Sequence, residues 1–341
     1  MKYRPEIDGL RALAVAPVIL FHAGLEIFSG GFVGVDVFFV ISGFLITKIL
    51  IEGIENKKFS IVNFYERRAR RILPALFFVM FITIIPAYFV MLPDELQDFG
   101  QTLVATTFFT NNVLLNITSD YWQLESEFKP LLHTWSLGIE EQYYLIFPLF
   151  LMLTWRFGKN RVFWMILVIA LSSLLLSEWG WRNNPTGNFY LAPSRAWELL
   201  AGSIAAFIVH KRGVKKNNFL ALLGLTFIIL SIFSYDKSTP FPSVYTLVPV
   251  LGVMLLILYA EKETLPAKLL STKLFVGIGL ISYSAYLWHQ PILAYSRSIS
   301  NGELVWTTQA IIVLSTFFFA ILTWKFIKQP FRKIGTFGRK K

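Results

Sequence analysis

The sequence predicts an all-α polytopic membrane protein, a bundle of about ten transmembrane helices, and three observations predict it. Of the 341 residues, 55% are hydrophobic and only 16% charged, against about 25% charged in a soluble domain. Apolar stretches of roughly 20 residues, the length that spans a hydrocarbon core about 30 Å thick, recur along the whole chain. Between them, Lys and Arg gather in alternate loops, as the positive-inside rule requires. The ten-residue alternation of a membrane β-barrel is missing. The absence of Cys removes disulfides, thiolate nucleophiles and Cys-ligated metal.

Taken in order, the candidate segments lie near 11–28, 31–53, 72–92, 96–117, 138–155, 161–181, 195–210, 218–235, 245–260, 273–295 and 304–327. The first carries Arg11 and His22 and runs straight into the second, unlike a cleavable signal peptide. If all eleven crossed, Arg156, Lys159, Arg161 and the His210–Lys216 cluster would face outward, against the positive-inside rule. The weakest segment is 96–117, which holds Asp98, Gln101, Asn111, Asn112 and Asn116 between the acidic stretches Pro93–Gln97 and Ser119–Glu127. It is expected to be re-entrant or to lie on the outer surface. Polar structure at membrane depth is tolerated only under protein or beside a water-filled cavity.

Ten crossings then remain, with both termini inside. Of the 32 Lys and Arg, 27 fall inside and five outside, namely Lys129, Arg182, Arg195, Lys237 and Arg297. Orientation thus accounts for the net charge of +11 without nucleic acid. The chain reads as one multi-pass domain over 1–341.

Ionisable residues inside spans are costly and mark a site or a partner. His22 lies eleven residues after Arg11, about 16 Å along a helix. Asp36 opens the second span at a similar depth, so a His22–Asp36 pair is expected. Such a carboxylate would raise the imidazole's basicity and fix its tautomer for general-base work; the alternative is a structural hydrogen bond between two helices. Arg67, Arg68, Arg70 and Arg71 precede the third crossing. They either anchor topology or bind a phosphorylated donor, since guanidinium forks match phosphate oxygens.

His133, Ser136, Glu140 and Glu141 open the fifth segment from outside. Arg195 and Glu198 enter likewise, and His289 sits in the outer half of the tenth. These seven form an expected acceptor side, with aromatic residues suited to sugar faces. There is no P-loop, no His-Glu-x-x-His, no Gly-x-Ser-x-Gly elbow and no metal constellation.

The opening Tyr3-Arg4-Pro5-Glu6-Ile7-Asp8-Gly9-Leu10-Arg11-Ala12-Leu13-Ala14-Val15 and the run Gly30 to Ile46 resemble the membrane acyltransferase-3 family. So do Arg11-x10-His22, Arg68-x-x-Arg71 with the overlapping Arg67–Arg70, Trp135 to Gln142, Ser194–Leu199 and Ser282–His289. This is the family of bacterial O-antigen and other surface-polysaccharide O-acetyltransferases. The resemblance implies an integral-membrane O-acyltransferase, most simply an O-acetyltransferase, using acetyl-CoA or another acyl-CoA as donor and no metal. Its acceptor would be a hydroxyl on a cell-surface glycan, such as lipopolysaccharide O-antigen, or on a lipid-linked precursor. It further implies that Arg68 and Arg71 hold CoA phosphates, that His22 is the base assisted by Asp36, and that Arg11 steadies charge along the path. Many relatives continue into an extracytoplasmic SGNH-type domain, which the present sequence does not include. On physics alone, buried ionisable groups also suit a transporter or flippase for a polar or lipid-linked solute.

Overall fold

In a computed structural model, residues 3–118, 124–300 and 304–332 are described, and all their regular structure is helical. Part of the acidic stretch 119–127 and the basic end 337–341 lie outside these described residues. The helices are α1 Pro5–His22, α2 Gly34–Glu55, α3 Ile61–Val90, α4 Pro93–Thr107, α5 Asn111–Thr118, α6 Thr134–Thr154 and α7 Lys159–Asn183. They continue as α8 Pro185–Tyr190, α9 Ala192–Arg212, α10 Asn218–Ser234, α11 Leu247–Tyr259, α12 Leu265–Leu270, α13 Lys273–Ile299, α14 Trp306–Leu322 and α15 Gln329–Arg332. Among the described residues, four stretches are long and apolar enough to cross a membrane: Gly31–Glu55, Ile61–Val90, Lys159–Asn183 and Trp306–Arg332. The other six expected crossings coincide with α1, α6, α9, α10, α11 and α13, which are shorter or more polar.

The polar segment 96–117 breaks into α4 and α5 at Phe109, whose φ of 57° is left-handed. At 15 residues, α4 extends about 22 Å, too short to cross. Two of the segment's asparagines, Asn111 and Asn112, are buried. Asn111 donates to Leu131 O at 3.1 Å and Thr134 Oγ1 at 2.7 Å, and Asn112 donates to Tyr190 O at 3.1 Å. Polar residues here fasten the segment to its neighbours, which explains both its composition and its failure to form one long helix.

Two boundaries differ from expectation and move the site. Pro5 and the acidic Glu6 and Asp8 start α1 six residues before the expected span. The helix closes at His22 because Gly24 supplies a φ of 85°. A linker with 3₁₀ turns at Glu26–Phe28 and Gly31–Val33 then leads into α2, where Asp36 sits in the first turn. Likewise α3 begins at Ile61, capped by Ser60 Oγ, so the arginine cluster is helical rather than part of a loop.

Small residues let α2 and α9 approach closely. A Cβ built on Gly43 would lie 1.8 Å from Leu199 O, and one on Gly202 would lie 2.0 Å from Val40 O. Hydrogen bonds reinforce the contact: Thr47 Oγ1 donates to Ser203 Oγ at 2.8 Å, and the Tyr143 hydroxyl of α6 lies 2.6 Å from the same oxygen. Beyond α14 the chain forms a π-helical turn, Thr323–Lys328, before α15. Such turns are rare and frequently mark functional positions.

Candidate functional site

The bundle encloses a cavity of about 470 Å³ walled by α1, α2, α3, α6, α13 and the chain beyond α14. One end is basic, with Arg4, Arg11, Lys48, Arg68, Arg71, Lys328 and Arg332 in its lining. Ser42, Ser136, Glu140, Tyr144 and Tyr286 supply its other polar walls, among apolar residues such as Val35 and Phe38.

Helical phase separates the two overlapping arginine motifs. Arg68 and Arg71 share the face that lines the cavity. Arg67 is exposed, and Arg70 is spent on Glu66 at 2.9 Å, so neither belongs to the cavity wall. The Arg68 guanidinium lies 5.8 Å from the Phe64 ring centroid and 5.9 Å from that of Tyr144, which aims it inward. Arg11 also reaches the cavity, donating to Asp8 Oδ1 at 2.9 Å, and Asp8 in turn accepts from the Tyr3 hydroxyl at 2.8 Å.

Ser136 and Glu140, expected on a separate acceptor side, line this same cavity. Ser42 Oγ and the Tyr144 hydroxyl both donate to Glu140 Oε1. The serine of the second-span motif thus positions a carboxylate. Glu141 lies outside the lining, with its buried Oε1 lacking a hydrogen-bond donor.

Beyond the cavity lies a histidine cluster that spacing did not reveal. His22 at the end of α1 has its ring centroid 5.2 Å from that of His289 on α13. The His289 centroid is 5.1 Å from that of His133, which directly precedes α6. The Tyr286 ring, on the cavity wall, lies 5.3 Å from His133 and 5.1 Å from His289. Its hydroxyl is 2.7 Å from Ser136 Oγ, and both oxygens lie 3.1 Å from the His133 carbonyl. Tyr286 and Ser136 therefore partition the cavity from the imidazoles, and His22 is not in the cavity wall.

Backbone carbonyls set two of the tautomers. His22 Nδ1 lies 2.9 Å from Val18 O, and His289 Nδ1 lies 2.6 Å from Tyr286 O. A carbonyl only accepts, so each Nδ1 carries the proton and Nε2 is the basic nitrogen. Arg297 Nη2 donates to the His22 carbonyl at 2.6 Å and is paired with Glu127 at 3.0 Å. Among the described residues, no group of three or more His, Cys, Asp or Glu is arranged to hold a metal.

The expected His22–Asp36 pair does not form. Arg195 Nη2 donates to Asp36 Oδ1 at 2.8 Å, and Arg195 Nε lies 3.3 Å from Glu198 Oε1. All three side chains are at most 1% exposed. The guanidinium is further boxed by the rings of Phe39, Trp135 and Phe241 at 5.5 Å and Phe189 at 5.7 Å. A guanidinium outcompetes a neutral imidazole for a buried carboxylate because only it neutralises the charge. Asp36, Arg195 and Glu198 thus join α2 to α9 and lie outside the cavity lining. Sequence reasoning also passed over Lys328 and Arg332, hidden in a basic stretch that reads as topogenic charge, and Tyr286, present in a motif but without a role.

A family model for an acyltransferase domain matches residues 4–325. The chain is 33% identical over 356 aligned residues to a peptidoglycan O-acetyltransferase, OatA, of Listeria monocytogenes, covering 98% of the chain and 56% of that protein. It is 31% identical over 351 residues to the O-acetyltransferase OatA of Staphylococcus aureus, covering 98% of the chain and 58% of the relative. The chain thus spans little more than half the length of these relatives. No solved structure matches it. With the family model spanning nearly the whole chain and both relatives aligned across it, the chain belongs to the acyltransferase-3 family of membrane acyltransferase domains.

Proposed function

We propose that the protein is an integral-membrane O-acetyltransferase that moves an acetyl group from acetyl-CoA to a hydroxyl of a cell-wall glycan. The name of the Listeria relative favours peptidoglycan over O-antigen, and on this reading the acceptor is peptidoglycan or its lipid-linked precursor. On this reading the chain crosses ten times with both termini in the cytosol, which would put the basic end of the cavity on the side where acyl-CoA is available. Lipids surround the bundle, and nucleic acid has no part in this reading.

One observation carries the proposal. Five cations lining the cavity, Lys48, Arg68, Arg71, Lys328 and Arg332, have no carboxylate within ion-pair distance among the described residues. Like charges gathered around one cavity without carboxylate partners, one of them the buried Lys328, are costly unless a ligand neutralises them. A nucleotide with three phosphate groups is such a ligand, and CoA carries its thioester on a long flexible arm that suits an elongated cavity.

The arm would bring the thioester to the wall formed by Ser136 and Tyr286. His22 Nε2 would take the proton of the acceptor hydroxyl, whose oxygen attacks the thioester carbonyl. The C–S bond breaks and CoA leaves as its thiolate. Tyr286 and His289 stand between the cavity and His22, so a change of side-chain conformation at Tyr286 is part of this path. Arg11 lies at the basic end and offsets phosphate charge there. The test is acetyl-CoA-dependent transfer to a glycan fragment by purified protein in nanodiscs, read as free thiol and acetylated product. Transport of a solute with no thiol released would overturn it.

A further inference from the structure

We propose that Lys328 and Arg332, on the π turn and α15 that pack against α3, complete a phosphate clamp with Arg68 and Arg71, with Lys328 on the pyrophosphate of CoA and Arg332 on its 3′-phosphate. The inference rests on acyl-CoA being the donor.

Three observations lead to it. Lys328 is 5% exposed, lines the cavity, and has no carboxylate partner among the described residues. The nearest wall carboxylate on its side, Asp8, is already engaged by Arg11 and by the Tyr3 hydroxyl. The lysine instead lies against an aromatic face, its Nζ 5.0 Å from the Tyr283 centroid. A buried ammonium in this state is held for a ligand, not for stability.

The backbone supplies the second observation. Lys328 closes the π-helical turn Thr323–Lys328. In a regular α-helix, residues three apart lie about 60° apart on the same face. Here Lys325 is exposed while Lys328 is buried. The widened turn accompanies that separation and presents Lys328 to the interior, as π turns commonly do at functional positions.

Depth gives the third. Arg332, four residues on, also lines the cavity but is exposed, so it stands at the rim while Lys328 stands within. CoA entering arm-first puts its pyrophosphate deeper than the 3′-phosphate on its ribose. The deeper cation then meets the pyrophosphate and the rim cation meets the 3′-phosphate. Arg332 would therefore distinguish CoA from dephospho-CoA, and Lys328 would not.

The experiment measures binding of CoA, dephospho-CoA and inorganic pyrophosphate by calorimetry to the full purified chain and its variants. Lys328→Met removes the charge at similar volume. It is expected to weaken CoA and dephospho-CoA alike, by about ten- to hundredfold, the worth of one charge-assisted hydrogen bond. The ligand-free thermal midpoint should stay level or rise, because an unpaired buried charge has gone; a structural lysine would lower it. Lys328→Arg should keep most of the affinity. Arg332→Gln should weaken CoA by a similar factor, leave dephospho-CoA unchanged and so erase the preference between them. Equal losses for both ligands in Arg332→Gln, or wild-type binding in Lys328→Met, would overturn the clamp. If the wild type binds pyrophosphate through Lys328 but not CoA, the phosphate contact stands and the donor reading falls. If it binds none of the three, the clamp is wrong.

Discussion

Asp36→Asn and Arg195→Met separate two roles for the buried acid of α2, and the structure ranks their effects. Arg195 sits between Asp36 and Glu198, all at most 1% exposed. Arg195→Met leaves two carboxylates facing each other with no cation, and breaking a buried pair from one side costs about 3–5 kcal/mol. It also empties a box of four aromatic rings that the guanidinium fills. Asp36→Asn is milder. The amide oxygen still accepts from Arg195 Nη2, and Glu198 still balances the charge, so the loss is about 1–3 kcal/mol. The assay is thermal unfolding in detergent, beside turnover and its pH dependence. Arg195→Met should unfold well below Asp36→Asn, and the surviving Asp36→Asn enzyme should keep the wild-type pH profile. An Asp36→Asn protein with wild-type stability, abolished turnover or a displaced pH profile would refute this and restore Asp36 as the partner of His22.

Other variants test the remaining parts. His22→Ala should lower transfer by about 10²–10⁴ while CoA affinity stays at the wild-type value, because the ring lies outside the cavity wall; single-turnover kinetics and calorimetry read the two effects separately. Arg68→Ala and Arg71→Ala should each raise the KM for acyl-CoA roughly tenfold or more and leave that for the acceptor unchanged, whereas Arg67→Ala and Arg70→Ala should change neither. Lysine at 68 or 71 should rescue only partly, since an ammonium lacks the bidentate fork. Gly43→Leu should destabilise the bundle by about 3 kcal/mol, because even its Cβ meets the Leu199 carbonyl oxygen at 1.8 Å and that obstacle is backbone; a melting curve shows it.

What the sequence made legible was local. Arg68 and Arg71 could be placed because their spacing is short, and the helical phase of α3 then decided between them and Arg67 with Arg70. The polarity of 96–117 announced that no single helix would cross there, and the buried Asn111 and Asn112 show what the polarity is for. The partner of Asp36 was not legible, since Arg195 lies 159 residues away and only the α2–α9 packing brings it close. The histidine cluster has the same cause: its three rings come from the ends of α1 and α6 and the middle of α13. Lys328 was hidden twice, by a basic stretch that topology alone explains and by a π turn that ordinary helical periodicity does not anticipate.

The most direct test of the account is a structure of the purified protein in a lipid nanodisc with a non-hydrolysable acetyl-CoA analogue. Phosphate density is expected among Arg68, Arg71, Lys328 and Arg332, with the acyl end against Ser136 and Tyr286. An analogue bound elsewhere, or a cavity filled by lipid with the four cations turned away, would contradict it.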